Sequence, residues 1–506
     1  MDVKQAPHVE APVEESGSDA SNRNETPKKP SLWRRFLGLI WDTFDGDGEE
    51  RRFVRKVDYF LFSYVMLGYF IKYLDQQNYS NAFVSGMQED LEMYGNERNL
   101  LVTYFNIGII LGTVPSQLIQ LHYVRPSVWI PSCELAWSIL VMAMAGAKNS
   151  KTLYALRFFV GLLESCSFPG YAALLGSWYG PTQLAKRVAL FEQSSAIASM
   201  FSGYLQAALY TGMNGKSGLK GWQWLFIFDA IISIPIAVWG YYAIPDRPST
   251  TRAFWLKKQV EFKDREFGVQ REAKMGRAPS AKLTWKKLRK IYTGWHLWAF
   301  IFPYLYVPMH ETAFTILTLP RMVAQAGQGS GFFNLWLKDQ GYTTAQINTI
   351  PTAGNAISVI ASLFFGTIAD RTGKRKETCA VVCVIVIVAN IMLSVWDIPK
   401  PALLFAFFLS FVSAAAQPLI IAWGQEVTHD NAELRQMLVA TGNIFTYTFM
   451  AWVPLVAFPT YDAPHYKYGY QVLIMFGGFA IIGVYLFGWL DEWDRYVSVI
   501  GKVWPC

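Results

Sequence analysis

The stretch "GTIADRTGKRK", residues 366–376, places five charges in eleven residues, four of them basic, between two long apolar runs. Each flanking run is about 20 residues long, enough for a helix rising 1.5 Å per residue to cross a hydrocarbon core of ~30 Å. Twelve such runs follow one another, near 58–84, 99–121, 127–147, 152–179, 187–211, 222–244, 296–337, 346–369, 378–396, 400–424, 436–459 and 470–490. One run alone could be a buried helix of a soluble protein. Twelve in series predict an all-α integral membrane protein of twelve transmembrane helices, whereas a barrel needs short alternating strands. Only 16 % of the residues are charged, against roughly 25 % in a typical soluble domain.

The formal charge of +7 does not call for nucleic acid, because the basic residues are unevenly placed. "WRRF" and "RRFVRK" precede the first run, "AKR" lies at 185–187, "WKKLRK" closes the longest polar segment, and "RTGKRK" follows Asp370. These fall on one side of a membrane if the chain starts in the cytoplasm, while an alternate connection carries the acidic "MQEDLEMYGNE". That asymmetry orients a membrane protein with both termini cytoplasmic. The polar opening residues read as a disordered tail with no cleavable signal. Four of five cysteines lie in apolar runs and the six histidines are scattered without metal spacing. No P-loop is present, so ATP-driven transport lacks its motor here. No cofactor, metal or enzymatic activity is expected.

The runs divide six and six at the polar segment 245–295. The predicted organisation is a tail (1–57), a six-helix half (58–244), a cytoplasmic linker (245–295), a second six-helix half (296–490) and a tail (491–506). Within the linker, "FWLKKQVEFKDREF" is either a helix on the inner membrane surface or a solvated linker helix. Two halves around a midplane site suit a secondary transporter, although a channel can share the layout.

Ionisable residues inside a membrane cost about 2.5–3.5 kcal/mol each on insertion scales and so point to work. In the first run, "YFIKYLDQQNYSNAFVSGM", Lys72, Asp75 and Tyr79 share a helical face and Asn78 lies close to it. In the fourth, "LRFFVGLLESCSFPG", Arg157 and Glu164 share a face two turns apart, about 10 Å. They are too distant to pair with each other, so each should meet another helix or a cavity. One reading makes Asp75 and Glu164 proton-carrying carboxylates and Arg157, with Lys72, the cations that recognise an anionic substrate. The other makes them structural ion pairs, and Lys72 a residue that reaches out to the interface. Asn106, Gln193, Gln417, Trp423 and Asn443 are further candidates to line a cavity, with helix–helix hydrogen bonds as the alternative.

The opening stretch, with Gly366, Asp370, Arg371, Gly373, Arg375 and Lys376, closely resembles the signature loop of the major facilitator superfamily. A decayed copy, "GTVPSQLIQLHYVRPSVW", lies between runs two and three without the acidic residue. Gly366 should let helices approach closely and Gly373 should permit a tight turn. The resemblance implies a cytoplasmic gate formed by Gly366, Asp370, Arg371, Gly373 and Arg375; a loop that only sets topology is the alternative. "LDQQNYSNAFVSGMQEDL", "YFNIGIILGTVPSQ", "RFFVGLLESCSFPG" and "WGQEVTHDNAELRQMLVATGN" resemble the fungal allantoate permease family of anion:cation symporters, over roughly residues 55–495. Within it, "NAFVSGMQEDL" and "GNERNLL" look most like the pantothenate and biotin branch. The resemblance implies a monomer in the plasma membrane that imports a small carboxylate with protons, pantothenate first. Biotin, nicotinate or allantoate, or a sensor of the same fold without turnover, stay open.

The seventh run departs from that pattern. His296 to Lys338 spans 43 residues, about 65 Å as helix. Removing "PMHETAFTILTLPRMVAQA", residues 308–326, leaves 24, about 36 Å and a normal span. This segment is either extra sequence, such as a retained intron, or a re-entrant element.

Overall fold

A computed structural model describes residues 48–179, 181–246, 251, 253–256, 326–427 and 432–503. The chain falls into two compact units, 1–52 and 53–506. Of the first, only residues 48–52 are described, the opening of the helix Gly48–Val57.

The second unit is helical, and no strand occurs among the described residues. The elements in chain order are α1 Ser63–Ala82, α2 Glu97–His122, α3 Pro126–Met144, α4 Ser150–Glu164, α5 Ser167–Trp178, α6 Pro181–Met213 and α7 Gly221–Ala243. There follow α8 Phe333–Asp339, α9 Thr344–Thr372, α10 Arg375–Val395, α11 Lys400–Ser410, α12 Ala416–Val427, α13 Ala432–Ala457 and α14 Gly469–Val503. Every apolar run but the seventh is matched by helix along most of its length. Eight helical spans among the described residues are long and apolar enough to cross a membrane. Run eleven contributes a shorter apolar helix, Thr446–Ala457, and run seven is described only from Ala326. Residues 308–325, most of the anomalous segment, lie outside the described residues, as do the linker stretch 257–295 and most of the N-terminal tail.

Helix α10 shows how burial is arranged. On α10, Val381, Val384, Val388, Ile391 and Val395 form an exposed apolar stripe, while Val382, Val386, Ala389 and Leu393 are buried. An apolar stripe turned outward is what lipid rather than water tolerates.

Two runs are broken helices. After Glu164 the chain turns at Ser165–Cys166 and restarts as α5, with Pro169 in its first turn. Proline lacks an N–H and clashes with the carbonyl four residues back, so the first segment cannot continue through it. Run ten repeats the device: a 3₁₀ segment Phe411–Ala415 separates α11 from α12, which contains Pro418. In the described part of run seven, the glycine-rich stretch Gly327–Phe332 is a 3₁₀ segment that leads into α8.

Contacts group α1–α7 into one set and α8–α14 into another, the sets meeting chiefly where α6 crosses α9 and α2 crosses α13. A Cβ on Gly203 of α6 would overlap the Asn348 carbonyl of α9, so that crossing is backbone-close. Within the first set, a Cβ on Gly108 of α2 would strike the backbone of α4, and one on Gly161 would strike the Phe105 carbonyl.

Helix α9 ends on Gly373 with φ +66°, the left-handed cap that glycine adopts without strain. Gly366 corrects the expectation placed on it: nothing lies within 4 Å of where its Cβ would stand. Close approach belongs instead to Gly108, Gly161 and Gly203. The last helix runs on to Val503, past the apolar run, through residues expected to be tail.

Candidate functional site

The backbone contact of α2 with α4 fixes the first element of the site. It sets the Phe105 ring 4.8 Å from the Arg157 guanidinium, and Tyr79 of α1 lies on it at 4.7 Å. A planar cation between two aromatic faces is held by their quadrupoles. Arg157 donates at 3.5 Å to the backbone carbonyl of Asp75, and its Nε has no acceptor.

Lys72, one face along α1, lies between the rings of Tyr69 and Tyr447, 6.0 and 5.9 Å from their centres. Tyr447 belongs to α13, so Lys72 lies at the seam between the two sets. Glu164 closes α4; Gln76 donates to its Oε2 at 3.0 Å, while Oε1 has no donor. Lys72, Asp75, Arg157 and Glu164 are 2, 1, 1 and 0 % exposed. The ion pairs found among the described residues are Arg187–Asp58, Lys220–Asp90, Lys338–Glu89 and Lys376–Glu492, and none closes on these four. In this conformation the four act on one another through space without a direct ion pair among the described residues. Arg187–Asp58, braced by the Tyr179 hydroxyl, is the buried pair that does fix register.

A third group joins them. Asn78 donates to Asp229 of α7 at 2.7 Å and accepts from Ser202 of α6 at 2.6 Å. Ser202 accepts from Asn81 at 2.7 Å, and Asn81 accepts from Asn334 of α8 at 3.2 Å. No N–H or hydroxyl reaches either oxygen of Asp75, and the group it meets is the Asp229 carboxyl. Sequence reasoning missed Asp229, although a lone carboxylate in "FIFDAIIS" signals it by the rule that found Asp75. It missed Glu134 for the same reason; that buried carboxylate accepts from the Tyr64 hydroxyl. Gln76, Asn81, Ser202, Asn334 and Tyr447 carry no such signal.

The remaining candidates scatter. Asn106 is buried with its amide nitrogen unpartnered. Gln193 is half-buried and Gln417 exposed. Trp423 is buried in an apolar cluster with Ala369, Cys383 and Val484 rather than with Asp75. Asn443 and Asp370 lie on α13 and α9, their side chains outside the description. Of the gate residues, Arg371 and Gly373 are exposed and Arg375 half-buried. Among the described residues, no group of three or more His, Cys, Asp or Glu is placed to hold a metal ion.

Beyond Asn334 the seam is stitched shut at the end bearing the acidic 87–97 connection. Asn99 donates to the carbonyls of Pro454 and Phe458 at 3.0 and 2.7 Å, and Thr103 to Ala451 at 2.6 Å. Arg98 lies 5.4 Å from the Phe332 ring centre and donates to Ser80 and to the Gly331 carbonyl, each at 3.1 Å. Lys338 reaches Gln88 at 2.9 Å and Glu89 at 2.7 Å.

The arrangement offers two buried cations with no carboxylate bonded to them, beside carboxyls able to take up protons. A family model described as Major Facilitator Superfamily matches residues 65–442. The "MFS transporter PfmaC" of Pestalotiopsis fici is 38 % identical over 425 residues, covering 83 % of this chain and 76 % of that protein. "Pantothenate transporter FEN2" of Saccharomyces cerevisiae is 32 % identical over 438 residues, covering 84 % and 81 %. Among solved structures, the xylose transporter XylE from E. coli, in a partially occluded inward-open conformation, superposes with a TM-score of 0.59 at 13 % identity, covering 85 % of this chain and 99 % of that one.

Proposed function

Because the chain belongs to the major facilitator superfamily, we propose that it is a proton-coupled importer of a small carboxylate, pantothenate first, working by alternating access. The observation that carries this reading is the pair Lys72 and Arg157, each buried yet bonded to no carboxylate among the described residues. A cation left unpaired in low dielectric costs several kcal/mol. A substrate carboxylate entering the seam removes that cost, which makes the site selective for anions. The pantothenate transporter of yeast, similar over most of its length, supports the choice of substrate. Proton coupling follows from the same physics. An anion drawn in against a negative-inside membrane potential gains from a proton that travels with it, and Asp75 and Glu164 are the acceptors at the seam.

In this reading the basic loops face the cytoplasm of a plasma-membrane protein whose termini both lie inside. The stitched acidic end is then the outer gate, closed, and the exposed Arg371 and Gly373 belong to the released inner gate. Expression in cells deficient in pantothenate uptake should restore growth, and labelled uptake should collapse with a protonophore. Competition by unlabelled biotin or nicotinate at equal strength would move the substrate within the class, and binding without accumulation would mark a sensor. Asp75→Asn is expected to abolish concentrative uptake at unchanged surface expression. Full uptake by that variant would remove Asp75 from coupling.

A further inference from the structure

Asp229 lies fully buried in the seventh helix, and nothing in the apolar run around it needs a carboxylate. Its surroundings are directional. Asn334 donates to Asn81, Asn81 to Ser202, Ser202 to Asn78, and Asn78 to Asp229 Oδ2, so four successive donors point at one carboxylate. Ser233, whose hydroxyl donates to the Asp229 backbone carbonyl at 2.7 Å, lies 3.3 Å from Oδ1. Asp75 is the opposite case: both oxygens are buried and receive no N–H or hydroxyl. Two carboxyls facing each other in low dielectric bond only when one of them holds a proton. Donors stabilise the ionised member, and a chain of aligned donors polarises to strengthen its last bond.

We infer that Asp75 and Asp229 form one proton site, in which Asp75 holds the proton and donates it to an ionised Asp229. This rests on the reading of the protein as a proton-coupled carrier and adds Asp229, with the Asn78–Ser202–Asn81–Asn334 chain, to its machinery. The charged groups facing the pair are Arg157 and Glu164 of α4; α6 presents Ser202. Release passes the proton from Asp75 to water and leaves two carboxylates facing each other, with Arg157 as the cation that offsets them. Nothing is oxidised or reduced. The donor chain ends on Asn334 in the other set of helices, so a change of charge at Asp229 acts on the contact that holds the two sets together.

The test uses full-length protein in liposomes, with two readouts. The first compares accumulation of labelled pantothenate under an imposed proton gradient with gradient-free exchange of labelled for unlabelled pantothenate. The second is the infrared C=O stretch of a protonated carboxyl. The wild type should accumulate and show the band. Asp229→Asn should lose accumulation at least tenfold more than it loses exchange, and lose the band, as should Asp75→Asn. Accumulation by Asp229→Asn, loss of its exchange in correctly inserted protein, or a band that survives Asp75→Asn unchanged would overturn the pair and leave proton symport standing. A wild type indifferent to the proton gradient would instead refute the symport reading, and the infrared band would still decide the pair. Should Asp229→Asn fail to insert, Asp229→Glu decides: the band retained supports the pair, and the band lost contradicts it.

Discussion

Arg157 and Lys72 meet their surroundings in different ways, and the difference sets what each substitution should do. Arg157 is a flat guanidinium between Tyr79 and Phe105. A lysine there keeps the charge but loses the stacked plane and the fork of donors, so the exchange is not conservative. Arg157→Lys should lower substrate affinity about tenfold, roughly 1.4 kcal/mol, with surface expression unchanged. Uptake kinetics would show it as a raised KM. The residues that bear charge in this site were legible in the sequence because charge inside an apolar run stands out on cost alone. Asp229 was equally visible by that rule. The neutral partners were not: Gln76, Asn81, Ser202 and Asn334 differ in no local way from polar residues that bond within their own helix. Only the register between helices selects them.

At the scale of elements, the contact of α2 with α4 depends on Gly108 and Gly161 having no side chains. Gly161→Val would drive a branched side chain into the Phe105 carbonyl, and overpacking of this kind costs about 1–3 kcal/mol. The expected result is a lower unfolding midpoint in detergent and loss of uptake, since Phe105 also flanks Arg157. Gly176→Ala is the control: nothing lies within 4 Å of its Cβ position, and its midpoint should not fall. The order of the described helices was readable from hydropathy and proline. Which glycine faces a neighbour was not, because the signature-loop Gly366 and the packing Gly161 look alike in sequence while only the second meets a backbone.

For the molecule as a whole, the proposed cycle has the stitches at the acidic end hold one of the two access states. Asn99 alone supplies two hydrogen bonds to carbonyls of the opposing set. At about 1 kcal/mol each, Asn99→Ala should shift the equilibrium toward opening at that end by roughly tenfold or more. A cysteine placed at Ser80, behind Arg98, should then react correspondingly faster with a membrane-impermeant maleimide added outside; an unchanged rate would mean these bonds do not form the gate. The proposed transport cycle turns on an anion meeting Lys72 and Arg157, two buried cations that make no ion pair among the described residues. Equilibrium binding of labelled pantothenate to the purified protein, with Lys72 intact and with Lys72→Gln, tests this most directly. The account predicts saturable binding to the native protein and at least a tenfold loss of affinity in the variant at equal thermal stability. Equal affinity in the two proteins would contradict it.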